Sequence, residues 1–242
     1  MNQNLKLLDN KPLIFLGSNI VMQKFTEVCE DNGIQVLGLI DNDYWGNTSS
    51  ICGVPVIDTE ECFNDPIKFQ FYKNNFNFFC ATNWLPFQDE VSIRNRLKRE
   101  RLLNLIDSLE LNCINIIDKS ARVSRSAKLG KGIFIDGAVS IEPNVVIQNY
   151  TNIYSHTDIG HDSIVGRNCV IQRHSGLASK CIMEEEVFFG TAVKALKEGA
   201  TFGCNSFIQE CIYLRRGTVA NEVVSLTEGN LKRVKAGFQP VE

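Results

Sequence analysis

The chain has 242 residues, 44% hydrophobic and 22% charged, with a formal net charge of −3 and a pI near 5.7. Such a balance fits a globular protein of one large or two ordinary domains, and excludes a general attraction to nucleic acid or anionic membrane. Nine cysteines without one C-x-x-C pair fit neither a disulfide framework nor a zinc site, which points to a reducing, cytoplasmic setting. The N-terminal apolar run, Leu13 to Leu16, is far shorter than a signal peptide or a membrane span.

Residues 12–120 alternate between strand and helix patterns. "PLIFLG" reads as a buried strand, and "NIVMQKFTEVCEDNG" as an amphipathic helix closed by Gly33. "IQVLGLIDND" is a second strand ending in an acidic turn; "GVPVID" and "FNFFCAT" are further strands. A long charged helix, "DEVSIRNRLKRERLLNLIDSLEL", precedes "NCINIID". This alternation predicts a parallel sheet with helices packed on it. Arg94, Arg96, Lys98, Arg99 and Arg101 read as the solvated face of the long helix, balanced by Glu100 and nearby acids.

From Val123 the rhythm changes. Steps of six give Val123, Leu129, Ile135, Ile141, Ile147, Ile153, Ile159, Val165, Ile171, Leu177, Met183 and Phe189, then Ala195, Thr201, Phe207, Tyr213 and Val219. Smaller residues follow four places later, as at Ile133, Val139, Thr151, Ser163 and Cys169. A period of six suits neither an α-helix nor an ordinary half-exposed strand. It suits a parallel β-helix in which each hexapeptide makes a short strand and a corner, three to a coil. Positions 18 apart then stack, and between five and six coils span about 27 Å at the ~4.8 Å strand spacing. "SLTEGNLKRVKAGFQPVE" loses the period and is expected to cap one end.

The βαβ start "IFLGSN…LIDND", the strand "GVPVID", the linker "INIIDKSARVSRSAKLGKG", the repeats and the stretch "IGHDSIVG" resemble the left-handed β-helix acyltransferases of bacterial sugar biosynthesis. Within them the chain is similar to the sialic acid O-acetyltransferases and the N-acetyltransferases of nucleotide-linked 4-amino sugars. The resemblance implies a Rossmann-like nucleotide-sugar-binding domain at 1–120, a left-handed parallel β-helix at 121–226 and a C-terminal cap or tail at 227–242. It further implies a homotrimer in the cytoplasm, with acetyl-CoA bound between neighbouring prisms. The expected activity is N-acetylation of a nucleotide-linked amino sugar, of the 4-amino-4,6-dideoxy type. A sugar O-acetyltransferase would use the same site. A non-catalytic sugar-nucleotide-binding trimer is the third reading, because "GSNIVMQ" carries only Gly17 where the family has several glycines.

His161 and Asp162 match the family's histidine–acid pair. Acetyl transfer to an amine needs a base, and a carboxylate on the other ring nitrogen would fix the tautomer and support the imidazolium. The plain alternative is a polar corner, since G-H-D is also good turn chemistry. His156 and His174 stand 18 apart and should stack at one corner, either binding substrate or merely exposed. No metal is expected. Three protein ligands are needed at a catalytic zinc, and the positions 36 before His156 and His161, where β-helix carbonic anhydrases place the third, hold Ser120 and Arg125. Gly17, Ser18, Asn19, Asp41, Asn42 and Asp43 lie after strands, where open α/β sheets bind nucleotides. The resemblance places coenzyme A at Gly176, Gly190, Arg215 and Arg216, the arginines being suited to phosphate. Cys169 and Cys181 take the small inward repeat position, which argues against a cysteine nucleophile.

Overall fold

The computed structural model describes residues 11–18, 21–86, 89–227 and 229–235. The chain divides into two compact units that meet at Ile116–Ile117.

The first unit is built on a five-stranded sheet. Strands β1 (Leu13–Leu16), β2 (Val36–Ile40), β4 (Val54–Asp58) and β5 (Asn77–Cys80) run parallel. The short β3 (Ser50–Ile51) pairs antiparallel with β4, giving the order β3-β4-β2-β1-β5. β1 and β5 are fully buried runs, as expected of central parallel strands. Helix α1 (Met22–Asp31) sends Phe25 into the core, where its ring meets Phe79 edge-on at 5.3 Å. The sequence reading left out α2 (Pro66–Asn75), although Asp65 caps it by accepting from the amides of Ile67 and Lys68, with Pro66 in the first turn. Its apolar residues form no single stripe: Ile67 and Phe71 are exposed while Tyr72 is buried. α3 (Glu90–Ser108) buries Leu102, Leu103 and Ile106.

The second unit is a parallel β-helix. Three flat sheets of six, five and eight strands form its faces. On the first face Val123, Ile141, Ile159, Leu177 and Ala195 pair in register, each 18 residues from the last. Leu129, Ile147, Val165 and Met183 do so on the second, and Ile135, Ile153, Ile171 and Phe189 on the third. Their inward side chains form one continuous core. The segment read as a linker is already the first coil, since the Asp118 and Arg122 amides donate to the carbonyls of Ile135 and Val139.

The six-residue register breaks after Ala195 and again after Leu214, where Phe202 bridges to Thr218 and Ile208 pairs with Val224, both 16 apart. Met183 pairs with Phe202, Phe189 with Ile208 and Ala195 with Leu214, all 19 apart. The inward residues after Ala195 are therefore Phe202, Ile208 and Leu214, not Thr201, Phe207 and Tyr213; Thr201, Tyr213 and Val219 are exposed. The corner between Ala195 and Phe202 has one extra residue, and Gly199 takes the left-handed conformation there (φ +69°). Cys211, although followed by Ile212 and Tyr213, is exposed at a corner. At the C-terminal end Glu222–Thr227 adds in parallel to the third face and folds back as a hairpin with Asn230–Lys235. Lys232, Arg233 and Lys235 line this outer strand, as charges commonly do where a sheet edge must not recruit another chain.

Candidate active site

The repeat dictates the local geometry around His161. From Leu129 to Phe189 the third residue after each inward side chain is left-handed, a series that includes Asn144, His156, Asp162, Asn168, His174 and Lys180. Asparagine and aspartate tolerate that conformation better than most residues. At the corner between the first and second faces, Asp162 (φ +58°) brings its carboxylate against the preceding residue. His161 Nδ1 lies 2.7 Å from Asp162 Oδ2, and the two side chains are 45% and 43% exposed. The other carboxylate oxygen accepts from Asn144 Nδ2 at 3.0 Å, and the Asn144 amide donates to Ser126 Oγ. The His161 amide donates to Glu142 Oε2 at 2.8 Å. The hydrogen bond from His161, then that from Asn144, holds the Asp162 carboxyl below its ordinary range. An ionised carboxylate only accepts, so the ring nitrogen facing it carries hydrogen, which in the neutral ring leaves the lone pair on Nε2. That is the arrangement of a general base.

The same corner continues into the later coils. The first-face register carries His161 to Ser179, then Lys197, then Arg216, with Arg215 beside it. Arg215 and Arg216 are exposed on this edge three coils on, about 14 Å away at the strand spacing. Gly176 lies on the outer surface of the first face under the Lys194 side chain, whose Cδ would be 3.0 Å from an added Cβ. Gly190 is not brought to this edge. It begins the corner between the third and first faces, where it is buried with the Glu210 backbone nitrogen 2.6 Å from an added Cβ. His156 and His174 occupy that second corner too. Their rings stack at 4.9 Å and 4°, as the 18-residue spacing predicts, but one corner away from His161. Among the described residues no three His, Cys, Asp or Glu side chains are placed to hold a metal ion. Burial pushes the Cys169 thiol up to about 12, which removes it as a nucleophile.

In the sheet unit the carboxyl ends of β1, β2 and β5 carry a second polar cluster. Gly17 turns the chain there with φ +67°, and a Cβ on it would stand 2.1 Å from Thr82 Oγ1 and 2.5 Å from Leu102 Cδ1. Ser18 Oγ donates to Asp41 Oδ2 at 2.8 Å. Lys98 Nζ donates to both oxygens of Asp41 and to Asp43 Oδ2, at 2.8, 2.9 and 2.7 Å. Asp41 is wholly buried and so holds the cluster together without facing outward, whereas Asp43 is half exposed. The Lys98 hydrogen bond keeps the Asp43 carboxyl below its usual range. Asn42 Oδ1 accepts the Glu60 amide, and Arg101 pairs with Glu60 at 2.8 Å. Asn19 lies outside the described residues.

The charge run on α3 is therefore a solvated face only at Arg94 and Arg101, which are exposed. Lys98 and Arg99 are buried, Arg99 donating to the Thr82 carbonyl, and Arg96 lies over the Trp84 ring at 5.6 Å. The sequence holds the signal: Lys98 and Arg99 stand four residues before Leu102 and Leu103, on the stripe that faces the core. Asn144 was missed as well, although it lies 18 before Asp162 in the same left-handed column.

No protein-family model matches the chain, and no curated protein matches it. Solved structures do. PerB from Caulobacter crescentus, determined with CoA and GDP-perosamine, superposes with a TM-score of 0.73 at 21% identity, over 91% of this chain and 97% of that one. The acetyltransferase domain of PglB from Neisseria gonorrhoeae FA1090 gives 0.76 at 17%, over 93% and 100%. That domain has also been determined with acetyl coenzyme A. WeeI from Acinetobacter baumannii AYE gives 0.72 at 12%, over 92% and 99%. At these identities the likeness establishes the fold.

Proposed function

We propose that the chain is an acetyl-CoA-dependent N-acetyltransferase acting on the amino group of a nucleotide-linked amino sugar, of the 4-amino-4,6-dideoxy type. The observation that carries this reading is the His161–Asp162 pair, whose Nδ1 is committed to a carboxylate and whose corner leads to Arg215 and Arg216. Fold likeness to PerB, determined with CoA and GDP-perosamine, supports it. On this reading the β-helix is left-handed and the sheet unit Rossmann-like.

His161 Nε2 accepts a proton from the amine as its nitrogen bonds to the thioester carbonyl carbon. Asp162 supports the imidazolium that results. The carbon–sulfur bond breaks, and the imidazolium returns its proton to the departing thiolate. Acetyl-CoA supplies the acyl group as co-substrate, and no covalent link to the protein is needed. Arg215 and Arg216 suit its phosphates by charge and geometry. In the sheet unit the Gly17–Ser18 turn and the ionised Asp43 are the groups offered to the nucleotide, with Asp41 and Lys98 fixing their positions. His156 and His174 are assigned to the sugar nucleotide.

The assembly is a homotrimer of cytoplasmic protein. Both dyad residues are nearly half exposed, and Ile164 and Ile182, outward on the adjoining face, are 38% and 42% exposed, so the edge gains a wall only from a neighbour. Light scattering should give three times the 27.2 kDa chain mass; a single chain mass at micromolar concentration would refute the trimer. No described helix is long and apolar enough to cross a membrane. The activity itself is tested by thiol release from acetyl-CoA in the presence of amino-sugar nucleotides, read together with the mass of the acceptor.

A further inference from the structure

Charge is stacked on the dyad's corner. In the left-handed column, Asn144 precedes Asp162 by one coil and Lys180 follows it by one. Coils are ~4.8 Å apart, so a lysine in that position has the reach to pair with the carboxylate beneath it. Lys180's charge does act on Asp162, adding to the larger effects of the hydrogen bonds from His161 and Asn144. Its ammonium nevertheless lies elsewhere. Lys180 Nζ is 2.6 Å from Glu198 Oε1, with both side chains 58% exposed.

Glu198 stands there because of the register break after Ala195. In an unbroken six-residue rhythm residue 198 would itself be the next left-handed member of this column, 18 after Lys180, just as Glu186 and Ala192 are left-handed at the other two corners. Gly199 takes that conformation instead, and its amide donates to the Ser179 carbonyl. The extra residue frees Glu198 to meet Lys180 from the following coil. The other groups at this corner are accounted for: Glu142 accepts the His161 amide, and Asn144 donates to Asp162 Oδ1. Lys197 and Glu198 come from the coil beyond. Without the Glu198 carboxylate, the remaining anionic partner for Lys180 in the column is Asp162.

We propose that Glu198 is a positioning residue of the dyad: it draws the Lys180 ammonium away from Asp162, so that the carboxylate stays on His161 Nδ1 and Nε2 stays the unprotonated nitrogen. An exposed ion pair is weak, so the device works by choosing Lys180's partner rather than by adding stability. The proposal rests on the catalytic reading of His161 given above.

The test is Glu198→Gln, which keeps size and removes charge. In the free protein at alkaline pH, nitrogen chemical shifts report which tautomer the neutral His161 ring adopts, and with three histidines in the chain single substitutions assign the signals. The variant should move from the Nδ1–H toward the Nε2–H tautomer and lose about two- to tenfold in kcat, with KM for acetyl-CoA unchanged. Lys180→Met combined with Glu198→Gln should restore both, which a role in direct substrate contact or in folding would not predict. An unchanged tautomer in Glu198→Gln, or no restoration in the double variant, overturns the proposal. His161→Asn separates the two readings. If it keeps turnover, the catalytic reading has failed; if it is inactive while the Glu198→Gln tautomer is unchanged, the positioning role alone has failed.

Discussion

Replacing His161 by alanine should lower kcat by roughly 10²–10⁴, the range for loss of a positioned general base. The fold should survive, because the side chain is 45% exposed at a corner and contributes nothing to the continuous core inside the coils. Asp162→Asn should cost less. The amide oxygen can still accept from Nδ1–H and leave Nε2 free. The amide nitrogen can instead donate to Nδ1, so part of the base function is lost. Steady-state kinetics of the purified variants check both, with circular dichroism confirming the fold. His156→Ala and His174→Ala should act on the acceptor KM or leave turnover alone, since their stacked rings lie one corner away. If His156→Ala abolishes turnover and His161→Ala keeps most of it, the base is the other histidine.

The second large effect is expected in the sheet unit. Lys98→Met removes the cation that satisfies both oxygens of the wholly buried Asp41. Breaking a buried pair from one side typically costs about 3–5 kcal/mol, because the remaining charge keeps its desolvation penalty without its partner. Both tryptophans of the chain, Trp45 and Trp84, lie in this unit, so intrinsic fluorescence follows its unfolding separately from the β-helix. The denaturation midpoint should fall sharply. Adding Asp41→Asn should recover more than half of the loss, since the buried negative charge is then gone. An unchanged midpoint for Lys98→Met would show that the cluster contributes little to folding.

How far these sites were legible in the sequence follows from how local their signals are. The β-helix was readable through Ala195 because one apolar inward residue recurs every six without interruption. Beyond Ala195 the inward position moves by one, yet Phe207–Ile208 and Tyr213–Leu214 are apolar at both positions, as Phe134–Ile135 and Phe188–Phe189 are earlier. Either member looks apolar enough to continue the rhythm, which hid the extra residue. The His161–Asp162 pair was legible because the partners are adjacent in sequence. Its third member was not, because Asn144 joins it only once the coils are stacked. The buried cations of α3 were misread for a similar reason. A run of Arg and Lys signals solvent when read without its spacing to Leu102 and Leu103. The partners that bury it, Asp41 and Asp43 for Lys98 and the Thr82 carbonyl for Arg99, come from the ends of the sheet's strands. The acidic turn after β2 was placed correctly in the chain, but Asp41's full burial is a tertiary fact.

On the proposed function the chain moves an acetyl group from a thioester to an amine on a nucleotide-linked sugar. The most direct measurement incubates the intact protein with acetyl-CoA and a panel of nucleotide-linked sugars bearing amino or only hydroxyl groups, and follows free thiol and acceptor mass together. Thiol release is expected only when an amino sugar is present, with one acetyl gained on its nitrogen and neither product formed by His161→Ala. Acetyl found on a hydroxyl of sugars that lack the amine would contradict the N-acetyl assignment. Binding of the sugar nucleotides without any thiol release would contradict catalysis altogether.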